Sequence, residues 1–270
     1  MLISVLGSCV AMPITSAADR LLEAIARPGM IDGRSVAVVV AHPDDETIGC
    51  GALLQRMIGT TIVIVTDGAA EADAAAYGFP STKAYAAARS KEVHAALGGV
   101  EAGAIIELGY GDQSAAFHLT ELSAELRRIF ADRGISVVLT HAYEGGHPDH
   151  DAVAFAVHRA ASAIIEMPFY RQGERGIAFQ SFAETADVVT MTLDADMRTA
   201  KAKMLAAHAS QAAVLADFTL AREQFRRAPV YDFRNLPNRG AVEYDHRPWG
   251  LTVSQWRRQV ETALSDPQWR

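Results

Sequence analysis

The sequence predicts an α/β fold, a Rossmann-like, mostly parallel sheet with helices on both faces. Three observations predict it. Val36 to Val40 is a short, continuous, mostly β-branched run, as expected of a strand buried on both faces; Thr61 to Thr66 reads as a second buried strand, and Ala104 to Leu108 and Ser136 to Thr140 as a third and fourth strand. Helix-forming stretches separate these runs, which suits parallel βαβ crossovers. The chemically richest segments, His42 to Glu46, Thr66 to Gly68, Gly109 to Asp112 and His141 to His150, fall just beyond the ends of the runs. Ligands of doubly wound sheets bind there, outside the carboxyl ends of the strands.

The elements follow in order. Asp19 to Ala26 reads as a short helix stopped by Arg27-Pro28-Gly29. Arg34 to Ala41 holds the first strand, and Thr47 to Met57 the next helix. Asp67-Gly68 ends the second strand, and Ala69 to Pro80 reads as a loop or lid. Ser81 to Leu97 is a helix closed by Gly98-Gly99. Thr120 to Arg133 follows the third strand as a helix, with Thr120 as N-cap and Gly134 as stop. The fourth strand leads through His141 to Gly146 into a helix running to about Ile165. Further strands are expected near Ile177 to Phe182 and Val188 to Leu193, then a long helix from Asp194 to Leu215. Beyond Gln224 the pattern weakens, and Arg222, Arg226 and Arg227 read as a solvated helix face.

With 270 residues, half of them hydrophobic and 21% charged, the chain can bury a sizeable core and reads as one domain over 1–270. Within it, 1–33 is a helical extension, 34–165 the core that carries the motifs, and 166–270 the remainder. A net charge of -7 lacks the basic footprint of a nucleic-acid binder. Two cysteines, Cys9 and Cys50, form no disulfide framework and fit a reducing cytoplasm, with Cys50 as a small buried hydrophobe. The apolar run Leu2 to Gly7 and the cleavage-like Ser16-Ala17-Ala18 lack a positive n-region, so Met1 to Ala18 reads as a retained segment. No stretch is long and apolar enough to insert stably in a membrane. A homo-oligomer is compatible with the sequence.

Two motifs carry the chemistry: Ala41-His42-Pro43-Asp44-Asp45-Glu46 after the first strand, and Gly145-Gly146-His147-Pro148-Asp149-His150-Asp151 after the fourth. Imidazole and carboxylate together suit zinc and related divalent metals. Pro43 pushes His42 toward an extended conformation, so His42 projects from the strand end. Asp44 and Asp45 fall near a helix start and point in different directions, so one can bind a metal while its neighbour faces water. Pro148 suits a first helical position, and His147 and His150 then offer one ligand and one group toward the reacting atoms. A lone His-Pro-Asp is adequately explained as a helix cap. Two such motifs at one sheet edge would be costly without a partner for their charges.

These motifs resemble those of the PIG-L/LmbE-like zinc deacetylases, which include the N-acetylglucosaminyl-phosphatidylinositol de-N-acetylase and bacterial deacetylases of mycothiol and bacillithiol biosynthesis. The resemblance covers roughly Ser35 to Asp151. It extends more weakly to Arg89, Glu92, Lys201-Ala202-Lys203 and His208-Ala209-Ser210-Gln211. It implies that His42, Asp45 and His150 bind Zn2+, another divalent metal such as Fe2+ also suiting the set. Asp44 is then the general base, and His147 the acid or oxyanion partner. Glu46, Asp149 and His141 support the ligands by hydrogen bonds. The implied reaction is removal of an acetyl or other acyl group from an N-acetylated amino sugar, with a glucosaminide as the expected substrate. Two segments depart from the family pattern. An Arg-containing turn is replaced by Thr66-Asp67-Gly68, and Tyr143-Glu144-Gly145-Gly146 differs from the mycothiol-deacetylase sequence.

Substrate contacts are expected from Tyr77, from Asp112, which reads equally as a turn residue, and from Arg89, which reads rather as the partner of a carboxylate. Phe79 and Trp249 are further lid candidates. One alternative is an amidase on a larger N-acyl or thiol-conjugate substrate. Another is a nucleotide-binding Rossmann protein, a methyltransferase or dehydrogenase. Its sole support is Leu108-Gly109-Tyr110-Gly111-Asp112, since no G-x-G-x-x-G follows the first strand.

Overall fold

The computed structural model describes residues 16–267. The run Leu2 to Gly7 and Cys9 lie outside the described residues. The chain opens with α1 (Ala17–Ile25), started by a reciprocal capping box between Ser16 and Asp19, and a short β1 (Ile31–Asp32). The alternating core follows: β2 (Val36–Val40), α2 (Asp45–Leu54), β3 (Met57–Ile58), β4 (Thr61–Thr66), α3 (Thr82–Ala96), β5 (Ala104–Tyr110), α4 (Leu119–Arg133), β6 (Val137–His141), α5 (Pro148–Ala160) and β7 (Ile164–Met167). Then come the hairpin β8 (Tyr170–Gly173) and β9 (Gly176–Phe179), β10 (Val189–Thr192), α6 (Ala195–Ala207), α7 (Ala212–Leu215), β11 (Arg222–Arg227) and α8 (Val253–Ser265).

Seven strands form one sheet in the order β10-β11-β7-β6-β2-β4-β5. The five from β7 to β5 are parallel, and β11 joins both β7 and β10 antiparallel. The strand order turns at β2, with β4 on one side and β6 on the other, which makes the crevice beyond β2 the topological switch point. Alternate residues of β2 and β4 feed two cores. Val36, Val38, Val40, Ile62 and Ile64 pack with α1 and α2, while Ala37, Val39, Val63 and Val65 pack with α4, α5 and α8.

Several elements differ from the sequence expectation. The helix after His147 ends at Ala160, and Ile164–Met167 is a strand whose four buried residues pair with β6. Arg222–Arg227 is likewise a strand and no solvated helix face: Glu223 and Phe225 point inward, and Arg226 Nε donates to the buried Glu166 Oε2 at 3.0 Å. Thr120 lies inside α4, which starts at Leu119 directly behind a 3-10 turn, so no side chain caps it. The long helix expected over Asp194 to Leu215 breaks at His208. α2 begins at Asp45 and stops at Leu54, leaving Met57 and Ile58 to pair with β1.

α2 is kinked at Cys50, which is buried and free (φ -148°, ψ 26°). The kink is stabilised from the far end of the sequence. The Ile48 carbonyl accepts from Lys201 Nζ at 2.7 Å and Gln180 Nε2 at 3.2 Å. The Ala52 and Leu53 amides donate to Glu223 at 2.8 and 3.0 Å, and Lys201 Nζ meets Glu223 Oε1 at 2.7 Å. A cation thus serves the carbonyl end of one half-helix and an anion the amide end of the next, as the helix dipole favours. Among the described residues, no helix is long and apolar enough to cross a membrane.

Candidate metal centre

Three elements deliver the donor atoms. β2 ends at Val40, and His42 follows over the sheet edge, with Asp45 opening α2. Pro148 occupies the first turn of α5, where its missing N–H costs nothing, and His150 shares that turn. All three groups are buried. His42 Nδ1 lies 3.2 Å from Asp45 Oδ2, His150 Nε2 lies 3.4 Å from the same oxygen, and the two ring nitrogens are 3.3 Å apart. Donors about 2.0–2.2 Å from one tetrahedral ion stand roughly 3.3–3.6 Å from each other. The triangle has that size, so the donor set fits a zinc-like cation.

The neighbours fix the donors. His42 Nε2 faces Asp112 Oδ1 at 3.0 Å and Asp149 Oδ2 at 3.3 Å, which places the ring proton on Nε2 and leaves the Nδ1 lone pair free. Asp149 also accepts the amides of Gln113 at 2.6 Å and Ala115 at 3.0 Å, tying the loop after β5 to His42. His141 Nε2 lies 3.5 Å from Asp45, but its lone pair already accepts the Ala41 N–H at 2.9 Å. Its ring stacks on His150, with centroids 4.0 Å apart. His147 caps α5: its Nδ1 accepts the Asp149 N–H at 3.1 Å, which leaves the proton on Nε2. Burial, together with the neighbouring His42 and His150, holds its pKa well below the ordinary histidine value. The ring sits edge-on to His42 at 4.6 Å and beside Trp249 at 4.6 Å.

Asp44 has φ 153°, a conformation rare for a non-glycine residue. Its Oδ2 accepts from Arg89 at 2.8 Å, and its N–H donates to Glu46 Oε2 at 3.1 Å. Burial pushes its carboxyl up to about 7, against the pull of Arg89 and with the help of Asp45. Arg89 also donates to the carbonyls of Pro43, at 3.0 Å, and Gly68. At Gly68 (φ 60°) a β-carbon would strike the guanidinium and Pro43, so the turn Thr66-Asp67-Gly68 is what admits Arg89.

The structure therefore assembles His42, Asp44, Asp45, His147, Asp149 and His150 of the two motifs at one edge, together with His141 from the end of β6. Arg89 pairs with Asp44, in keeping with its reading as the partner of a carboxylate. Asp112 sits on His42, and Glu46 differs from expectation in holding the Asp44 backbone instead of a donor of the triangle. Tyr77 stacks on Tyr85, with Phe79 on the same ring. Sequence reasoning missed Phe169 and Tyr170, whose rings lie 5.2 and 5.5 Å from His150. Their signal was position beyond a strand end, hidden because β7 read as helix.

Solved structures that share this fold include a deacetylase of the teicoplanin biosynthesis pathway, 17% identical, TM-score 0.57, covering 73% of this chain and 98% of that one. Another is the N,N'-diacetylchitobiose deacetylase from Pyrococcus horikoshii, 18% identical, TM-score 0.54, covering 78% and 90%. A third is the zinc-inhibited form of a teicoplanin deacetylase, 16% identical, TM-score 0.55, covering 73% and 98%. No curated protein matches the sequence. Residues 37–161 match the family described as PIG-L: GlcNAc-PI de-N-acetylase. The matched segment contains both motifs.

Proposed function

We propose that this protein is a metal-dependent hydrolase that removes the acetyl, or a related acyl, group from an N-acetylated amino sugar. The observation that carries the reading is the triangle of His42 Nδ1, Asp45 Oδ2 and His150 Nε2, with sides of 3.2, 3.4 and 3.3 Å. These residues would hold a divalent cation, zinc by the character of the donors, with Fe2+ also compatible. Such an ion, when bound, supplies Lewis acidity toward the amide carbonyl and toward water.

The protein's own groups do the rest. Asp44 takes the proton of the attacking water, and a carboxyl near 7 is well matched to that task. Arg89 fixes its orientation through Oδ2. His147 presents Nε2–H to the oxygen on which negative charge develops. As the C–N bond breaks, Asp44 returns the proton to the nitrogen, which leaves as an amine beside acetate. Asp112 and Asp149 keep His42 in the tautomer the donor set needs.

Protein purified without added metal is to be analysed for metal content. It is then assayed for amine release from N-acetylglucosamine and N,N'-diacetylchitobiose, before and after chelation. Near-stoichiometric metal and chelator-sensitive release are expected. Metal without release would move the substrate to a larger N-acyl or thiol-conjugate compound. Neither metal nor release after adding zinc would refute the proposal.

A further inference from the structure

The turn His208-Ala209-Ser210-Gln211 takes no part in the chemistry above, yet its polar groups are spent on the elements that carry Asp44. His208 is fully buried, and its Nε2 lies 3.4 Å from Glu46 Oε1 and 3.3 Å from Thr47 Oγ1. The other oxygen of Glu46 accepts the Asp44 N–H. The Ser210 N–H and Oγ donate to the two oxygens of Glu92 on α3, at 2.9 and 2.6 Å. Gln211 Nε2 donates to Tyr85 Oη on the same helix at 2.5 Å. Arg89 stands one turn from both Tyr85 and Glu92, and it grips the Asp44 carboxylate.

Asp44 is therefore held at both ends, its backbone through Glu46 on α2 and its side chain through Arg89 on α3. One four-residue turn contacts the first holder through His208 and the helix that carries the second through Ser210 and Gln211. The φ of 153° explains the need, because a non-glycine residue stays in such a conformation only where its surroundings impose it.

We propose that the turn 208–211 is a positioning element for Asp44, with His208 and Ser210 as positioning residues that register α3 against α2. The functional part of this proposal rests on Asp44 as the base. A plain staple between α3 and the end of α6 would stabilise the fold without acting on Asp44, and the test separates the two.

Glu92→Ala removes both acceptors for Ser210, Glu92→Gln restores one, and Ser210→Ala is a milder second variant. Hydrogen exchange of the full chain, read by mass spectrometry without substrate, should show exchange over 42–47 speeding by about tenfold or more in Glu92→Ala, with β2 and β4 unchanged. Glu92→Gln should recover most of the protection. With N-acetylglucosamine, kcat should fall by about tenfold or more at unchanged KM and metal content, as expected of a misplaced base. Unchanged exchange over 42–47 in both Glu92→Ala and Ser210→Ala would overturn the proposal, and so would a uniform rise that includes β2 and β4. Full turnover by Asp44→Asn would instead sink the base assignment, leaving the exchange result to judge the positioning.

Discussion

Replacing Lys201 with methionine tests how α2 is held. The Lys201 and Glu223 side chains are 1% and 0% exposed, so neither charge has water as an alternative partner. Methionine keeps most of the stem's volume and removes the cation. Glu223 then keeps the Ala52 and Leu53 amides but loses its ion-pair partner, and the Ile48 carbonyl keeps only Gln180. Removing one member of a buried pair costs about 3–5 kcal/mol. The lost bond to Ile48 adds about 1 kcal/mol. At roughly 2–4 °C per kcal/mol for a chain of about this size, the Tm should fall by about 10 °C or more. The double variant Lys201→Met/Glu223→Gln removes the stranded charge and leaves an amide oxygen for one N–H. It should recover about 1–3 kcal/mol relative to the single variant. Urea and thermal unfolding, followed by circular dichroism, measure both. A loss below about 1 kcal/mol in the single variant, or a double variant no more stable than the single, would refute the reasoning.

Four further outcomes follow from the site and its surroundings. Asp44→Asn should lower turnover by about 100-fold or more with metal content retained. With Asp44 as the proposed base, acting in the deprotonated form of a carboxyl near 7, kcat of the wild type should fall as pH drops below that value, and a flat acid limb would count against Asp44. His150→Ala should lose the stoichiometric ion, and unchanged metal content by elemental analysis would place the ion elsewhere. Burial raises the Glu144 carboxyl from 4.5 to about 8. Between those values the folded protein holds a proton that the unfolded chain has released, so this contribution to stability is full below 4.5 and is lost as pH rises toward 8. Urea midpoints should decline across that window and flatten in Glu144→Gln, while identical slopes in both proteins would remove Glu144 as the cause.

The strands β2, β4 and β6 were legible because burial on both faces demands the continuous apolar runs they display. β7 was not, since Ile164 and Ile165 extend the apolar pattern of α5, and only pairing with β6 makes them a strand. β11 carries little strand signature at all. Its Glu223 and Arg226 are tolerated because their partners lie 171 and 60 residues away, information that no local window contains. The donor cluster was legible from two His-Pro-Asp motifs at strand ends. The places of Asp112 on His42 and of Glu46 behind Asp44 were not, because each depends on how separate loops meet.

The kink in α2 also fixes when the site can mature during synthesis. Asp45 leaves the ribosome early, on a helix whose broken backbone must wait for Lys201, 153 residues beyond Ile48, and for Glu223, 170 residues beyond Leu53. Closing loops of that length costs entropy before any contact rewards it. The segment 37–161 holds all three donors of the triangle, but cut at 161 it would leave the Ile48 carbonyl without Lys201 and two amides without Glu223. A nascent chain of that length has the ligands in sequence and lacks the frame that sets them in space. Assembly of the donor triangle is thereby tied to emergence of β11, so an unfinished chain is poorly equipped to hold the ion proposed for it.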